Sequence, residues 1–164
     1  FMLSWIPTLF VDSGYTRVQG IEALTGFNLG AIPGILVLAA LTTRLPLVPL
    51  LALFFLGAGA VLAFVGLTQP QELGALMRLM FAGGFFLHGG FTCLYALATR
   101  VYPSDIRAAG VGWAAGLGRT GAIASPLLAA ALLSAGWGMY ALFSLFAVPL
   151  ALGGLLLWVF VQDD

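Results

Sequence analysis

The chain has 164 residues, of which 62% are hydrophobic and only 7% are charged, and its mean hydropathy is +1.10. Six arginines balance six acidic residues, so the formal net charge is zero at pH 7. Because a soluble domain carries about 25% charged residues, this composition excludes a water-facing surface, and the charge balance excludes a basic patch for nucleic acid.

Six hydrophobic runs follow one another along the chain, separated by short polar breaks. They cover residues 1–11, 21–43, 47–67, 74–99, 108–133 and 139–161. The last five are each long enough to cross about 30 Å of hydrocarbon as helices, and their unbroken apolar character disfavours a membrane barrel. The first run rises only about 16 Å as a helix, so we interpret it as a spanning helix truncated at Phe1. The sequence therefore predicts an all-α integral membrane domain over residues 1–164, in contact with the bilayer of a cell membrane (inner or plasma).

The arginines in the polar breaks predict how the helices are oriented. Short breaks make successive helices antiparallel, so alternate breaks lie on the same side of the membrane. Arg44, Arg100 and Arg107 fall on one side, and Arg17 falls on the other. Because arginine is enriched in cytoplasmic loops, we expect the side that carries Arg44, Arg100 and Arg107 to be cytoplasmic.

Glycines recur at four-residue spacing in two of the runs. Gly26, Gly30 and Gly34 share one face of the second helix, and Gly112 and Gly116 repeat the spacing in the fifth. Small residues on one face allow helix backbones to approach closely in a membrane. We therefore expect both stripes to be packing surfaces.

Arg119 is a charged residue near the middle of a predicted span. It lies about twelve residues into the run 108–133, where a charged side chain costs roughly 2.5–3.5 kcal/mol on insertion scales. It shares a helix face with Gly112 and Gly116, so we expect it to point into the bundle. Either it is a structural arginine held by carbonyls or a carboxylate, or it binds an anionic substrate directly or through a gating ion pair. We favour the second role.

Two uncharged polar side chains also lie within the predicted spans. His88 is near the middle of the run 74–99, where it is either a proton relay or a neutral side chain with a hydrogen bond. Asn28 lies beside the stripe formed by Gly26, Gly30 and Gly34. It either forms a hydrogen bond across helices or lines a cavity.

The sequence carries no motif for catalysis or for a resident metal or cofactor. Asp12, Glu22, Glu72 and Asp105 fall at predicted loops or helix ends, and no HExxH or Walker sequence occurs. The single cysteine, Cys93, excludes an internal disulfide and a paired-cysteine metal or redox motif. We therefore predict a protein that is not an enzyme and has no cofactor.

The segment 102–126 resembles a known family. It reads YPSDIRAAGVGW over residues 102–113, GRTG over 118–121 and SP over 125–126. YP followed by RxxG resembles the loop before helix 11 of major facilitator transporters, and GxGWAxGxGRxG is similar to the aromatic acid:proton symporter family. SWIPT over residues 4–8 and FNLG over 27–30 are similar to that family's helices 7 and 8. The resemblance implies the C-terminal six-helix half, helices 7–12, of a twelve-helix major facilitator fold.

The resemblance implies a function and a set of site residues. The function is proton-coupled uptake of small organic anions, aromatic carboxylates in particular, held between this half and an N-terminal six-helix half. Arg119 matches the family arginine that faces the central cavity, and Arg107 matches the arginine of the cytoplasmic loop that controls the conformational switch. The substrate-facing set is expected to be Arg119, Asn28, His88, Phe91 and Tyr95, and the gating set Arg107, Asp105, Arg44 and Arg100.

Two stretches depart from the family pattern. Where the family's loop between helices 8 and 9 carries a DRxGRR-type motif, residues 42–46 read TTRLP and keep one arginine, Arg44. The sequence therefore does not decide whether this loop makes the family's gating contact. After Gly89 and Gly90 the family has Gln and then Asn four residues on, whereas this chain has Phe91 and Tyr95. These aromatic residues predict a more aromatic cavity and a different substrate.

Two other functions stay open on the sequence alone. A non-transporting membrane subunit would use the glycine stripes for helix association. An intramembrane enzyme would need paired catalytic groups at membrane depth. Transport is favoured because the hydrophobic runs, Arg119 and the segment 102–126 all indicate it.

Overall fold

A computed structural model describes residues 2–160, and over this range it contains six α-helices and no β-strand. The predicted all-α fold class is confirmed. Phe1, where the first predicted run begins, and residues 161–164, which include the end of the last run, lie outside the described residues. The helices are α1 (Met2–Asp12), α2 (Arg17–Leu41), α3 (Leu47–Thr68), α4 (Leu73–Val101), α5 (Arg107–Ser134) and α6 (Met139–Phe160).

Five of the helices, α2 to α6, are long and apolar enough to cross a membrane, whereas α1 has 11 residues. The connections between successive helices are short, so neighbours in sequence are antiparallel. The loops 42–46 and 102–106 therefore lie at one end of the bundle. Tyr15, the loop 69–72 and the start of α6 lie at the other end, where hydrogen bonds connect them.

The helix α2 begins four residues before the hydrophobic run that predicts it. Thr16 Oγ1 accepts a hydrogen bond of 3.3 Å from the Gln19 backbone N–H, and Gln19 Oε1 accepts one of 2.8 Å from the Thr16 N–H. This capping box satisfies backbone donors at the helix start. The helix therefore begins at Arg17, although the apolar residues begin only at Ile21.

The parallel helices α2 and α4 pack closely through glycines. Gly30 and Gly34 lie against the backbone of α4, and Gly84 lies against the carbonyl group of Phe27. A Cβ atom on any of these three glycines would clash with the facing backbone. The packing predicted for Gly30 and Gly34 is confirmed, whereas a Cβ on Gly26 would have no neighbour within 4 Å among residues 2–160, so Gly26 takes no part in the contact.

The antiparallel helices α3 and α6 form a second close pair. A Cβ on Gly59 would lie 3.3 Å from the Ala147 carbonyl oxygen, and a Cβ on Gly66 would lie 2.7 Å from that of Tyr140. Because lipid is as apolar as the side chains, membrane helices gain from this kind of close packing more than from burial itself.

Buried side chains form two clusters, one toward each end of the bundle. The first draws on α1, α2, α3, α4 and α6 and lies toward the end that carries Tyr15. The second is built on α2 and α3 near the loop 42–46. Their largest members are Phe10, Phe27 and Phe143 in the first cluster and Phe54 and Phe55 in the second.

The helix α5 lies apart from the others along most of its length. Ala129 is its one buried residue, and Leu132 and Leu133 near its end pack against the first cluster. Gly112 and Gly116 have no neighbour within 4 Å of the position of a Cβ. Within the described residues, the prediction that these two glycines form a packing surface is therefore wrong, because no helix lies opposite them.

Candidate functional site

Three of the predicted substrate-facing residues lie at a similar depth on three different helices. Asn28 and His88 are each thirteen positions before the end of their helices, at Leu41 and Val101, and Arg119 is twelve positions after the start of α5 at Arg107. At 1.5 Å per residue these distances are about 18–20 Å from the end of the bundle that carries the loops 42–46 and 102–106. The three polar side chains therefore form a layer near mid-depth.

His88 is half-buried and is held by two contacts. Its Nδ1 atom lies 3.2 Å from the carbonyl oxygen of Gly84, one turn earlier in α4. Its ring packs edge-to-face against Phe27 of α2, with ring centroids 5.1 Å apart. These contacts fit the hydrogen-bonded reading of His88 on the sequence, and they fix the direction of the ring.

Phe91 and Tyr95 present an aromatic surface on the same side of α4. They follow His88 by three and seven positions, which places all three on one helix face. Phe91 is 55% exposed and Tyr95 is 46% exposed. Their rings meet edge-to-face with centroids 6.0 Å apart. A flat aromatic ligand can therefore contact ring faces here, beside the polar group of His88.

Asn28 lies on an exposed face of α2 and donates a hydrogen bond of 3.0 Å from Nδ2 to the Leu24 carbonyl oxygen. Two other exposed polar residues of α2 were not predicted as part of the site. Glu22 and Thr25 precede Asn28 by six and three positions and are also exposed. The signal was available in the sequence, since three polar residues at three-residue spacing interrupt an apolar run.

Arg119 is exposed, and the expectation that it points into the bundle is wrong for the described chain. It has this exposure because α5 does not pack against the other helices at that level. Arg119 forms no hydrogen bond or ion pair with residues 2–160, where the one ion pair is between Arg78 and Glu72 at 3.7 Å. Its charge is therefore available to an anion.

The segment before α5 is a compact turn built around Tyr102. The Nε atom of Arg107 donates a hydrogen bond of 3.2 Å to the Tyr102 carbonyl oxygen, and Gly110 lies so close to the Tyr102 ring that a Cβ would come within 2.6 Å. Ser104 donates from Oγ to Asp105 Oδ1 at 3.1 Å. The rest of the Arg107 guanidinium group has no partner among residues 2–160.

Arg44 and Arg100 lie at the same end of the bundle as Arg107. Arg44 is in the loop after α2, and Arg100 is in the last turn of α4. Both are exposed, and their side chains form no hydrogen bond or ion pair with the described part of the chain. Cations near helix C-termini are favoured by the helix dipole.

The structure thus places His88, Phe91 and Tyr95 on one face of α4, Asn28 at a similar depth on the exposed side of the adjoining α2, and Arg119 on the separate α5. Two shallow apolar grooves include none of the five. One lies along α5 at Trp113, and the other lies between α3, α4 and α6 at Leu94. Within residues 2–160, no three His, Cys, Asp or Glu side chains converge where a metal ion could bind.

Comparison with known proteins yields one family and several transporters. The family model of the Major Facilitator Superfamily matches residues 1–164. The chain is 33% identical over 161 residues to a 3-(3-hydroxy-phenyl)propionate transporter of Escherichia coli (strain K12), which covers 98% of this chain and 40% of that protein. It is 33% identical over 148 residues to a gallate transporter of Pseudomonas putida, with 90% and 32% covered. A 4-hydroxybenzoate transporter of Pseudomonas aeruginosa is 32% identical over 151 residues, with 92% and 34% covered.

The chain therefore spans about a third to two fifths of the length of these relatives. No solved structure is significantly similar to it.

Proposed function

Because the chain belongs to the Major Facilitator Superfamily, we propose that it forms the second six-helix half of a secondary transporter that carries small aromatic carboxylates. The chain is part of a multi-pass membrane protein of a transporter family and not of an enzyme. The observation that carries the proposal is Arg119, a cation at mid-depth on an exposed helix face. It lies level with Asn28 and His88 of α2 and α4.

Arg119 is proposed to bind the carboxylate of the substrate. A guanidinium group matches a carboxylate with two parallel hydrogen bonds. Arg119 has no partner among residues 2–160, so its charge is not already neutralised by this half. The cost of holding an unpaired charge near mid-depth is offset when an anion binds, which favours the loaded state over the empty one.

The aromatic ring of the substrate is proposed to lie against Phe91 and Tyr95. Their exposed, edge-to-face rings follow His88 on the same face of α4. The names of the similar transporters support an aromatic acid as the ligand, since 3-(3-hydroxy-phenyl)propionate, gallate and 4-hydroxybenzoate are all of this class. Asn28 supplies a further polar contact from α2.

Transport is proposed to be proton-coupled uptake by alternating access. In this scheme the chain rocks against an N-terminal six-helix half around the mid-depth layer. The end of the bundle that carries the arginines is proposed to be cytoplasmic, where the gating set forms and breaks contacts with the other half. That set comprises Arg107, Asp105, Arg44 and Arg100.

The test of the substrate role is uptake of labelled 4-hydroxybenzoate by cells that express the natural gene. Arg119→Ala is expected to lower uptake about tenfold to a hundredfold, the range for losing a hydrogen bond to a charged group. Arg78→Ala is the matched control, because Arg78 is an exposed arginine toward the opposite end of the bundle. Uptake by Arg119→Ala equal to that of the control, at equal protein level in the membrane, would remove Arg119 from the site.

A wild-type protein that takes up no aromatic acid would contradict the function itself and would favour a non-transporting membrane subunit. Proton coupling is tested separately with a protonophore. It should abolish accumulation of 4-hydroxybenzoate above the external concentration and leave equilibration intact. Accumulation that persists without a proton gradient would exclude symport while leaving transport in place.

A further inference from the structure

His88 has only one tautomer that suits its surroundings while it is neutral. Its Nδ1 atom lies 3.2 Å from the carbonyl oxygen of Gly84. A carbonyl oxygen can accept a hydrogen bond but cannot donate one, so Nδ1 carries the proton and donates. The other ring nitrogen, Nε2, is then left with a lone pair and acts only as an acceptor.

Packing within the described chain leaves the Nε2 atom without a hydrogen-bond partner. Within residues 2–160, the one fully buried side-chain nitrogen or oxygen without a hydrogen-bond partner is Trp5 Nε1, so Nε2 of His88 is not such an atom. His88 is half-buried, and its one hydrogen bond is made by Nδ1. Nε2 is therefore not enclosed by packing. The edge-to-face contact with Phe27 holds the ring so that Nε2 keeps one direction.

The chemistry around Nε2 selects among the groups of an aromatic acid. A carboxylate would place its lone pairs against the lone pair of Nε2, which is unfavourable, whereas a hydroxyl group donates to it. The cation Arg119, at a similar depth, is the better partner for the carboxylate. Phe91 and Tyr95 continue the same face of α4 with exposed rings, where the aromatic ring between these two groups can lie.

We infer that Nε2 of His88 accepts a hydrogen bond from a ring hydroxyl of the substrate, so that His88 is a specificity-determining residue for hydroxylated aromatic carboxylates. The inference rests on the proposed function and deepens it. It divides the aromatic carboxylates into acids with a hydroxyl donor, which are preferred, and acids without one.

The experiment measures uptake efficiency for three probes in cells that express the natural gene. The probes are 4-hydroxybenzoate, which has a hydroxyl donor, 4-methoxybenzoate, which has an oxygen acceptor but no donor, and benzoate, which has neither. The first variant is His88→Asn, whose side-chain amide can still donate to Gly84 but whose acceptor oxygen does not reach the position of Nε2. The second is His88→Phe, which keeps a ring against Phe27 and lacks both nitrogens.

The wild-type protein is expected to prefer 4-hydroxybenzoate over each of the other acids by about threefold to tenfold, the range for one net hydrogen bond. Both variants should reduce this ratio to near one. If the wild-type protein takes up 4-methoxybenzoate and 4-hydroxybenzoate with equal efficiency, the inference is overturned and the proposed function still stands. The inference is also overturned if either variant keeps the wild-type preference for 4-hydroxybenzoate. It is likewise overturned if a variant that reaches the membrane takes up none of the three acids. If the wild-type protein takes up none of the three, the proposed function fails, and the inference fails with it.

Discussion

The carbonyl oxygen of Phe27 in α2 occupies the space that a side chain at Gly84 of α4 would need. The same two residues hold His88, because Gly84 supplies the carbonyl that faces Nδ1 and Phe27 supplies the ring against which the imidazole packs. The close approach of two helix backbones therefore also sets the position of a proposed substrate-binding group. A substitution at Gly84 therefore affects both the α2–α4 packing and the position of His88.

Substitution of Gly84 by alanine is expected to destabilise the protein. The new methyl group would meet the backbone of α2, which cannot move without disturbing the whole helix, and overpacking of this kind typically costs about 1–3 kcal/mol. The measurement is the melting temperature of the purified protein in detergent. Gly26→Ala is the control, because a Cβ at this position would meet no other helix within 4 Å in the part of the chain that the structure describes. Equal melting temperatures for the two variants would show that the α2–α4 contact is looser than described.

Two tyrosines, one in the connection between α1 and α2 and one in α6, form hydrogen bonds with the loop between α3 and α4. Tyr140 donates a hydrogen bond of 3.0 Å to the Pro70 carbonyl oxygen, and Tyr15 donates one of 3.2 Å to that of Gln71. Tyr140→Phe and Tyr15→Phe should each lower the free energy of unfolding by about 0.5–1.5 kcal/mol. Thermal unfolding in detergent measures this.

The control for the tyrosine substitutions is Tyr102→Phe. The Tyr102 hydroxyl forms no hydrogen bond with residues 2–160, so its removal should change stability much less. If Tyr140→Phe and Tyr102→Phe unfold at the same temperature, the hydrogen bond to Pro70 contributes nothing.

Arg107→Lys is expected to slow uptake although it preserves the charge. Arg107 uses Nε to anchor on the Tyr102 carbonyl oxygen and keeps the rest of its guanidinium group free. Lysine has a single ammonium group, so it cannot bond the Tyr102 carbonyl oxygen and at the same time present free N–H groups for the proposed gating contact. Uptake of 4-hydroxybenzoate should therefore fall several-fold more for Arg107→Lys than for Arg100→Lys, since Arg100 has no such anchor. The reverse order would show that charge alone matters at Arg107.

Phe91→Ala is expected to raise the KM for 4-hydroxybenzoate by about twofold to tenfold, because an aromatic contact contributes about 0.5–1.5 kcal/mol beyond its area. Phe64→Ala is the matched control, since Phe64 is an exposed phenylalanine of similar accessibility on α3. A KM that is the same for both variants would place the substrate elsewhere than on the Phe91–Tyr95 surface.

Much of the fold could be predicted from the sequence because its signals are local. Unbroken apolar runs predicted the all-α membrane fold, and the segment 102–126 predicted the superfamily that the family match confirms. The start of α2 was predicted four residues too far along the chain, because hydropathy does not detect the capping box of Thr16 and Gln19. Glu22 was predicted only as a residue at a helix end, and Thr25 was not predicted at all, although both precede Asn28 at three-residue spacing.

The sequence by itself determined that the chain forms membrane-spanning helices, because in hydrocarbon each segment must satisfy its backbone hydrogen bonds internally, which is a property of the segment alone. It also determined which residues share a helix face. Only the tertiary structure decided which faces meet. Gly30 and Gly34 have the same spacing as Gly112 and Gly116, yet the first pair lies against α4, whereas no other helix among residues 2–160 lies against the second pair. Periodicity specifies a face, but the partner of that face depends on contacts between residues far apart in the chain.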